Sequence, residues 1–279
     1  MDMMDDAKDV VDFLKAMYFP RYTQRHLGCT IDSLDRSKFP GMYEGVLRLA
    51  QKYDAHELRG IVVEAIRKEW PTTLKQWYMK RRELNMNGYA EFVDGQPWDA
   101  DVCIVSSDVY PDAAQAIRLA VDLDIPSILP VAFYDLACTF MDYSRDPDAP
   151  DKASMLDRLS PMELRSLVLG TAALRNEVRT AELFFRQLQG FCSGDDRACM
   201  EVIITWCQTT LSSMYRSSNL LEWLQLQEKH KDLMQLRGLC GLCSSRAKER
   251  LSEKVVDIWQ RLPLLFGLTD VVGENWGRH

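Results

Sequence analysis

Apolar side chains recur at spacings of three and four through much of the chain, the pattern of helices that bury one face. Between Asp5 and Tyr18 they are Val10, Phe13, Leu14, Met17 and Tyr18. Asp5 or Asp6 is placed to cap the first turn, and Phe19-Pro20 stops the helix because proline biases the preceding residue away from helical geometry. A second helix is predicted over Tyr43 to Tyr53, turning Val46, Leu47, Ala50 and Tyr53 inward. A third follows at once. Asp54 and Glu57 have the spacing of a capping box with aspartate in the Ser/Thr role, and Leu58, Ile61, Val62, Ala65 and Ile66 mark one face up to Trp70-Pro71.

From Thr72 to Val109 the periodicity fades, with Asn85, Asn87, Gly88, Gly95 and Pro97 as punctuation and a candidate strand at Val102 to Val105. Helical patterning resumes from Pro111, read as a first helical residue, with Ala113, Ala116, Ile117, Ala120 and Val121, and again over Ile128 to Phe140 after Pro126. An acidic loop with Pro147 and Pro150 intervenes. Ser160-Pro161-Met162-Glu163 then combines a serine cap, a proline start and a glutamate at the third position, opening a long helix to about Gly190. Further helices are predicted near Ala198 to Met214, Leu220 to Leu236 and Ser244 to Arg261, the last closed by Leu262-Pro263 and Gly267. The fold class is therefore mainly α. Recurring glycine-punctuated strands, which an α/β sheet or β-sandwich would need, are absent from the pattern.

A length of 279 residues suffices to bury about three quarters of the unfolded surface in one or two cores, and suggests two domains. The segmentation is 1–77, an irregular linker or insertion over 78–109, and a C-terminal helical domain over 110–279. With 34 Lys and Arg against 41 Asp and Glu the net charge is −7, and Lys80-Arg81-Arg82 is the densest basic cluster, so binding to nucleic acid by bulk charge is disfavoured. The N-terminus is acidic where a secretory signal would be basic and apolar, and no apolar run reaches a membrane span. The expected location is the cytoplasm or nucleus, with no membrane association, and the eight cysteines are then expected as reduced or metal-bound thiols.

Among those cysteines, Cys240-Gly241-Leu242-Cys243 has the spacing of a zinc knuckle. Cys192 and Cys199 flank a turn-rich loop and supply a second pair, so that Cys192, Cys199, Cys240 and Cys243 form a candidate tetrahedral site for a structural zinc ion. Two other readings stay open: four reduced cysteines at helix ends, and a disulfide between Cys192 and Cys199. Cys207 beside Trp206 reads as core, and Cys29, Cys103 and Cys138 have no partner at ligand spacing. A redox role of the thioredoxin type would call for a strand before the CxxC, and none is predicted.

His26, His56, His230 and His279 are the only histidines, and none adjoins a nucleophile turn such as GxSxG. The acid pairs Asp195-Asp196 and Asp146-Asp148 read as solvated loop residues. There is no phosphate-binding GxxxxGK[ST] and no GxGxxG after a strand, so no catalytic residue is assigned and an enzyme is not expected. Near the C-terminus Trp259 and Phe266 read as core and Trp276 as the exposed aromatic, a candidate anchor for a partner.

Val46-Leu47-Arg48-Leu49-Ala50-Gln51-Lys52-Tyr53-Asp54-Ala55-His56-Glu57-Leu58-Arg59 resembles the paired-helix element of BTB/POZ domains, in which a helix ending in lysine-tyrosine turns directly into the next. Asp9 to Tyr18 resembles the preceding helix of that domain. Pro71-Thr72-Thr73-Leu74, Ile128 to Tyr134 and Ile258 to Leu268 are similar to segments of BTB-domain proteins of mushroom-forming (basidiomycete) fungi. The strands and early helices that form the N-terminal half of a BTB domain have no counterpart before Asp5, and 78–105 matches nothing in the family. The resemblance implies a partial BTB-like helical module followed by a larger α-helical bundle. It also implies a protein-binding adaptor or scaffold that forms homo- or hetero-oligomers and is linked to substrate recruitment by a cullin-type ubiquitin ligase. The alternatives are a zinc-stapled, transcription-associated regulator and an uncharacterised helical enzyme.

Overall fold

The computed structural model describes residues 5–19, 39–89, 111–143, 156–186, 198–199, 201–202, 204–205, 220–221, 239–273 and 275–277. They are mainly helical, and no strand occurs among them. The chain divides into two compact units, 1–132 with 155–159, and 133–154 with 160–279.

The first unit opens with α1, Ala7–Tyr18, whose N-cap Asp6 accepts the amides of Lys8 (2.8 Å) and Asp9 (3.3 Å). Phe13 and Ala16 are its buried positions, while Leu14, Met17 and Tyr18, expected inward, are exposed. The difference is a rotation of the helix. Asp5, Asp9 and Phe13 face α2, Glu44–Lys52, where Asp5 meets Lys52 and Tyr53, Asp9 meets Arg48, and the Phe13 ring lies 6.0 Å from that of Tyr53. Val46, Leu47, Leu49 and Ala50 of α2 are buried, but Tyr53 stays half exposed because it points back to Asp5.

The turn from α2 into α3, His56–Glu69, differs from the capping box expected at Asp54. Asp54 adopts φ 59°, the left-handed region, and the Ala55 amide donates to the Ala50 carbonyl (2.8 Å) while that of Asp54 reaches Gln51 (3.4 Å). This is a Schellman motif closing α2, with aspartate where glycine is usual. The α3 N-cap is Ala55, which offers no side-chain bond. On α3, Leu58, Val62, Val63 and Ile66 are buried and Ile61 is exposed. Leu47, Leu49, Val62 and Ile66 are each almost fully buried, each worth about 2 kcal/mol relative to exposure.

Beyond Trp70 the structure departs from the irregular linker. Leu74–Tyr89 form α4, so residues 78–89 are helical; the candidate strand at 102–105 lies outside the described residues. Weak amphipathicity hid this helix, whose Trp77 is buried and carries Arg81 over its ring at 5.4 Å, while Lys80 reaches the buried Glu69 at 2.8 Å. Helix α5, Ala113–Asp122, starts two residues later than Pro111, because Asp112 is the N-cap and accepts the Gln115 amide at 3.0 Å. The Asp112 amide bonds the Phe39 carbonyl, its carboxylate is paired with Arg158, and Phe39 stacks on Trp70 at 6.0 Å. A second aspartate in the left-handed region ends α5. Asp124 has φ 53°, and the Ile125 amide bonds the Ala120 carbonyl at 2.8 Å. After a short 3₁₀ turn, Pro126–Ile128, helix α6 covers Leu129–Tyr143.

In the second unit, Phe133, Tyr134, Leu136, Ala137 and Cys138 of α6 are buried. Helix α7, Pro161–Arg186, begins with the expected capping box: the Ser160 amide donates to Glu163 Oε2 (2.7 Å) and the Glu163 amide to Ser160 Oγ (3.3 Å). It packs on α8, Gly241–Leu265. There Gly170 admits the ring of Phe266, fully buried and stacked on Phe133 at 5.6 Å; a Cβ at Gly170 would collide with it. Glu177 of α7 pairs with Lys254 (2.6 Å) and Arg261 (3.0 Å) of α8.

Helix α8 starts earlier than Ser244 and is not closed at Pro263, which lies inside its last turn. Closure comes from Gly267, with φ 68°. Its amide bonds the Leu264 carbonyl (3.2 Å) and that of Leu268 the Pro263 carbonyl (2.7 Å), a Schellman motif with glycine in its usual place. The short α9, Thr269–Val272, follows. Trp276 is buried rather than exposed, its ring stacked on Trp259 at 5.2 Å, which corrects its reading as a surface anchor. Among the described residues no helix is long and apolar enough to cross a membrane.

Candidate metal centre

The N-terminus of α8 is built on Cys240. Its backbone is extended (φ −67°, ψ 156°), so the chain enters the helix with the side chain folded back over the first turn. There the sulfur takes the role usually played by a Ser or Asp oxygen and accepts the Cys243 amide at 3.5 Å. Two intervening residues carry the chain round this turn and place Cys243 at the third helical position, buried.

Cys199 comes from a separate helical segment and is also buried. Its sulfur accepts the amide of Cys240 at 3.4 Å. The sulfurs of Cys199, Cys240 and Cys243 all lie within 4.8 Å of one another. Ligands of one tetrahedral zinc at 2.3 Å stand about 3.8 Å apart, so small side-chain rotations close the remaining distance. Backbone amides donate to the sulfurs of Cys199 and Cys240, and the cluster sits at the head of a long helix. The cluster has the donors and spacing to hold a metal ion.

Of the four sequence-assigned ligands, the structure brings together Cys199, Cys240 and Cys243; Cys192 lies outside the described residues. Cys138, Cys199, Cys240 and Cys243 are thiols in the structure, while the alternative Cys192–Cys199 disulfide involves a residue outside the described ones. Cys29, Cys103 and Cys207, together with His26, His230, His279 and the acid pairs at 146–148 and 195–196, lie outside the described residues. His56 is an exposed residue at the start of α3, 2.8 Å from the Asp54 carboxylate.

A groove of about 330 Å³ lies in the first unit, lined by Glu64, Arg67, Lys68, Pro71, Thr72 and Gln76. Arg67 within it is spent on a hydrogen bond to Ser127 (3.3 Å). Sequence reasoning did not find this groove, which lies at the junction between the end of α3 and the start of α4. Comparison with protein-family models, with curated proteins and with solved structures returned no match.

Proposed function

We propose that this chain is a protein-binding adaptor or scaffold whose second unit is stapled by a structural zinc ion. The observation that carries the zinc is the convergence of the Cys199, Cys240 and Cys243 sulfurs from two separate segments. An ion there would tie the segment holding Cys199 to the head of α8 and act as a cross-link, its binding energy counting toward folding. The sequence reading supplies Cys192 as the fourth thiolate.

The adaptor reading is supported by α1, where Val11, Leu14, Met17, Tyr18 and Phe19 are 44 to 72% exposed. Five large apolar side chains on and just after one short helix are more than the scattered single residues of an ordinary surface, and such clusters favour protein association. The resemblance of this segment to the helix that precedes the paired helices of BTB/POZ domains points the same way, toward self-association or recruitment to a cullin-type ligase.

Two measurements test the reading separately. Elemental analysis of purified protein is expected to find near-stoichiometric zinc that is lost when Cys240 and Cys243 are changed to Ser; metal-free protein of full stability would refute the staple. Sedimentation velocity over a concentration series, with and without the N-terminal domain of a cullin, is expected to show association weakened by Leu14→Asp with Tyr18→Asp. Association unaffected by those changes would refute the α1 surface.

A further inference from the structure

We infer that Cys240 and Cys243 form a site for thiol–disulfide exchange, with Cys240 as the attacking sulfur, Cys243 as the resolving one, and a low-molecular-weight disulfide as the substrate. The inference goes beyond the zinc reading and stands on the thiols themselves. Three observations carry it.

The first is accessibility. Of the three clustered cysteines, Cys199 and Cys243 are buried and Cys240 is partly exposed, so an incoming disulfide meets the Cys240 sulfur first. Access to the attacking sulfur is a condition of exchange. The second is alignment. The Cys243 amide already points at the Cys240 sulfur (3.5 Å), and the two sulfurs lie within 4.8 Å. A disulfide bond is about 2.05 Å long, and side-chain rotation about the extended Cys240 backbone brings the sulfurs together without moving the helix. The third concerns the choice of resolving sulfur. Cys243 sits on the same helical turn as Cys240, so the pair closes within one element, whereas a bond to Cys199 would link two segments distant in sequence.

The reaction balances as two exchanges. The Cys240 thiol loses its proton to water and its sulfur attacks one sulfur of the small disulfide, forming a mixed disulfide and expelling one thiolate. Cys243 then loses its proton to water and attacks the Cys240 sulfur, closing the Cys240–Cys243 bond and expelling the second thiolate. Both leaving thiolates take up protons. Two protein thiols are oxidised by two electrons and one small disulfide is reduced to two thiols. Were a metal held there, this bond would withdraw two of the three clustered donors from it.

The test treats the folded protein, as isolated and after chelation, with glutathione disulfide, blocks the remaining thiols and maps peptides by mass spectrometry without reduction. The expected product is a Cys240–Cys243 disulfide. Cys243→Ser is expected to stop at a glutathione adduct on Cys240, with its circular dichroism spectrum confirming the fold. Alkylation of the untreated wild type, which needs no variant, is expected to modify Cys240 roughly tenfold faster than Cys199 or Cys243, as its exposure requires.

A Cys199–Cys240 bond, an adduct that persists on Cys240 in the wild type, or first modification at Cys199 or Cys138 would overturn the inference. A metal-sensitive dye in the same samples separates it from the zinc reading. Disulfide formation without any metal leaves the exchange site standing and removes the staple; bound metal with no disulfide formed, before or after chelation, does the reverse.

Discussion

One substitution made at two places should change stability in opposite directions. Gly60 lies inside α3 on its exposed side, and a Cβ there meets nothing within 4 Å. Gly60→Ala therefore gains only the difference in helix propensity, about 1 kcal/mol of stabilisation. Gly170 lies inside α7, where the same gain applies, but the new methyl collides with the ring of Phe266. That ring has nowhere to retreat, being fully buried and stacked on Phe133. Overpacking of this kind costs about 1–3 kcal/mol, and a ring-on-methyl clash belongs at the upper end, so Gly170→Ala is expected to destabilise by about 2 kcal/mol net. The two alanines should thus differ by about 3 kcal/mol. Urea denaturation followed by circular dichroism measures each change, and hydrogen exchange at the α3 and α7 amides assigns it to its own unit. Phe266→Leu in the Gly170→Ala background should recover part of the loss, giving a coupling energy above about 1 kcal/mol in the double-mutant cycle. A Gly170→Ala protein as stable as Gly60→Ala would refute the close approach of α7 to Phe266.

Three further expectations follow from particular contacts. Asp124→Gly relieves a left-handed φ of 53° borne by a residue with a Cβ, and should raise the urea midpoint by an amount equivalent to about 0.5–1 kcal/mol; a lower midpoint would contradict the backbone assignment. Tyr134→Phe removes the hydroxyl that accepts the buried Leu221 amide at 2.9 Å, and should cost about 1–3 kcal/mol in the same assay, while an unchanged midpoint would show that the bond is not formed. The contact of Asp5 with Lys52 and Tyr53 should be bounded by pH. Hydrogen bonds from the Lys52 ammonium, and then the Tyr53 hydroxyl, hold the Asp5 carboxyl below its ordinary 3.8. Its contribution is complete above that value and is lost as pH falls through the lowered one. The Asp5 carboxylate in turn raises Lys52 above 10.5 and Tyr53 above 10.0, so their contribution is complete below those values and is lost as pH rises through the raised ones. Side-chain NMR titration of Asp5 checks both limits, and an Asp5 resonance that titrates at the ordinary value would refute the contact.

Much of the helical framework was legible because the signals were local. The Ser160 to Glu163 capping box and the stop at Gly267 depend on residues within one turn of each other, and both appear as read. What failed depended on partners remote in sequence. The apolar positions of α1 mark a face, but only the packing of Asp5, Asp9 and Phe13 on α2 decides how far the helix is rotated, leaving Leu14 and Tyr18 outside. Helix α4 has no clean stripe; it is anchored by the burial of Trp77 and by Lys80 reaching Glu69. Asp54 illustrates a conflict between two local rules, since the same residue fits a capping box for α3 and a left-handed stop for α2, and the stop prevails because it satisfies two carbonyls of α2. Spacing alone exposed the CxxC at the metal centre. Cys199 enters the sequence reading with it as part of a wider-spaced second pair, and folding carries that residue, 41 positions distant, to the Cys240 amide.

Glu177 acts as a key for the sliding position of two helices. Lys254 and Arg261 stand seven residues apart on α8, about 10 Å along its axis, yet both reach the one carboxylate, from opposite ends. A slip of α8 by a single turn, about 5.4 Å in either direction, would carry one cation out of reach and leave the largely buried acid with half its neutralisation. The paired charges therefore favour the same alignment that the seating of the Phe266 ring at Gly170 imposes by shape, and the two constraints act together on one register.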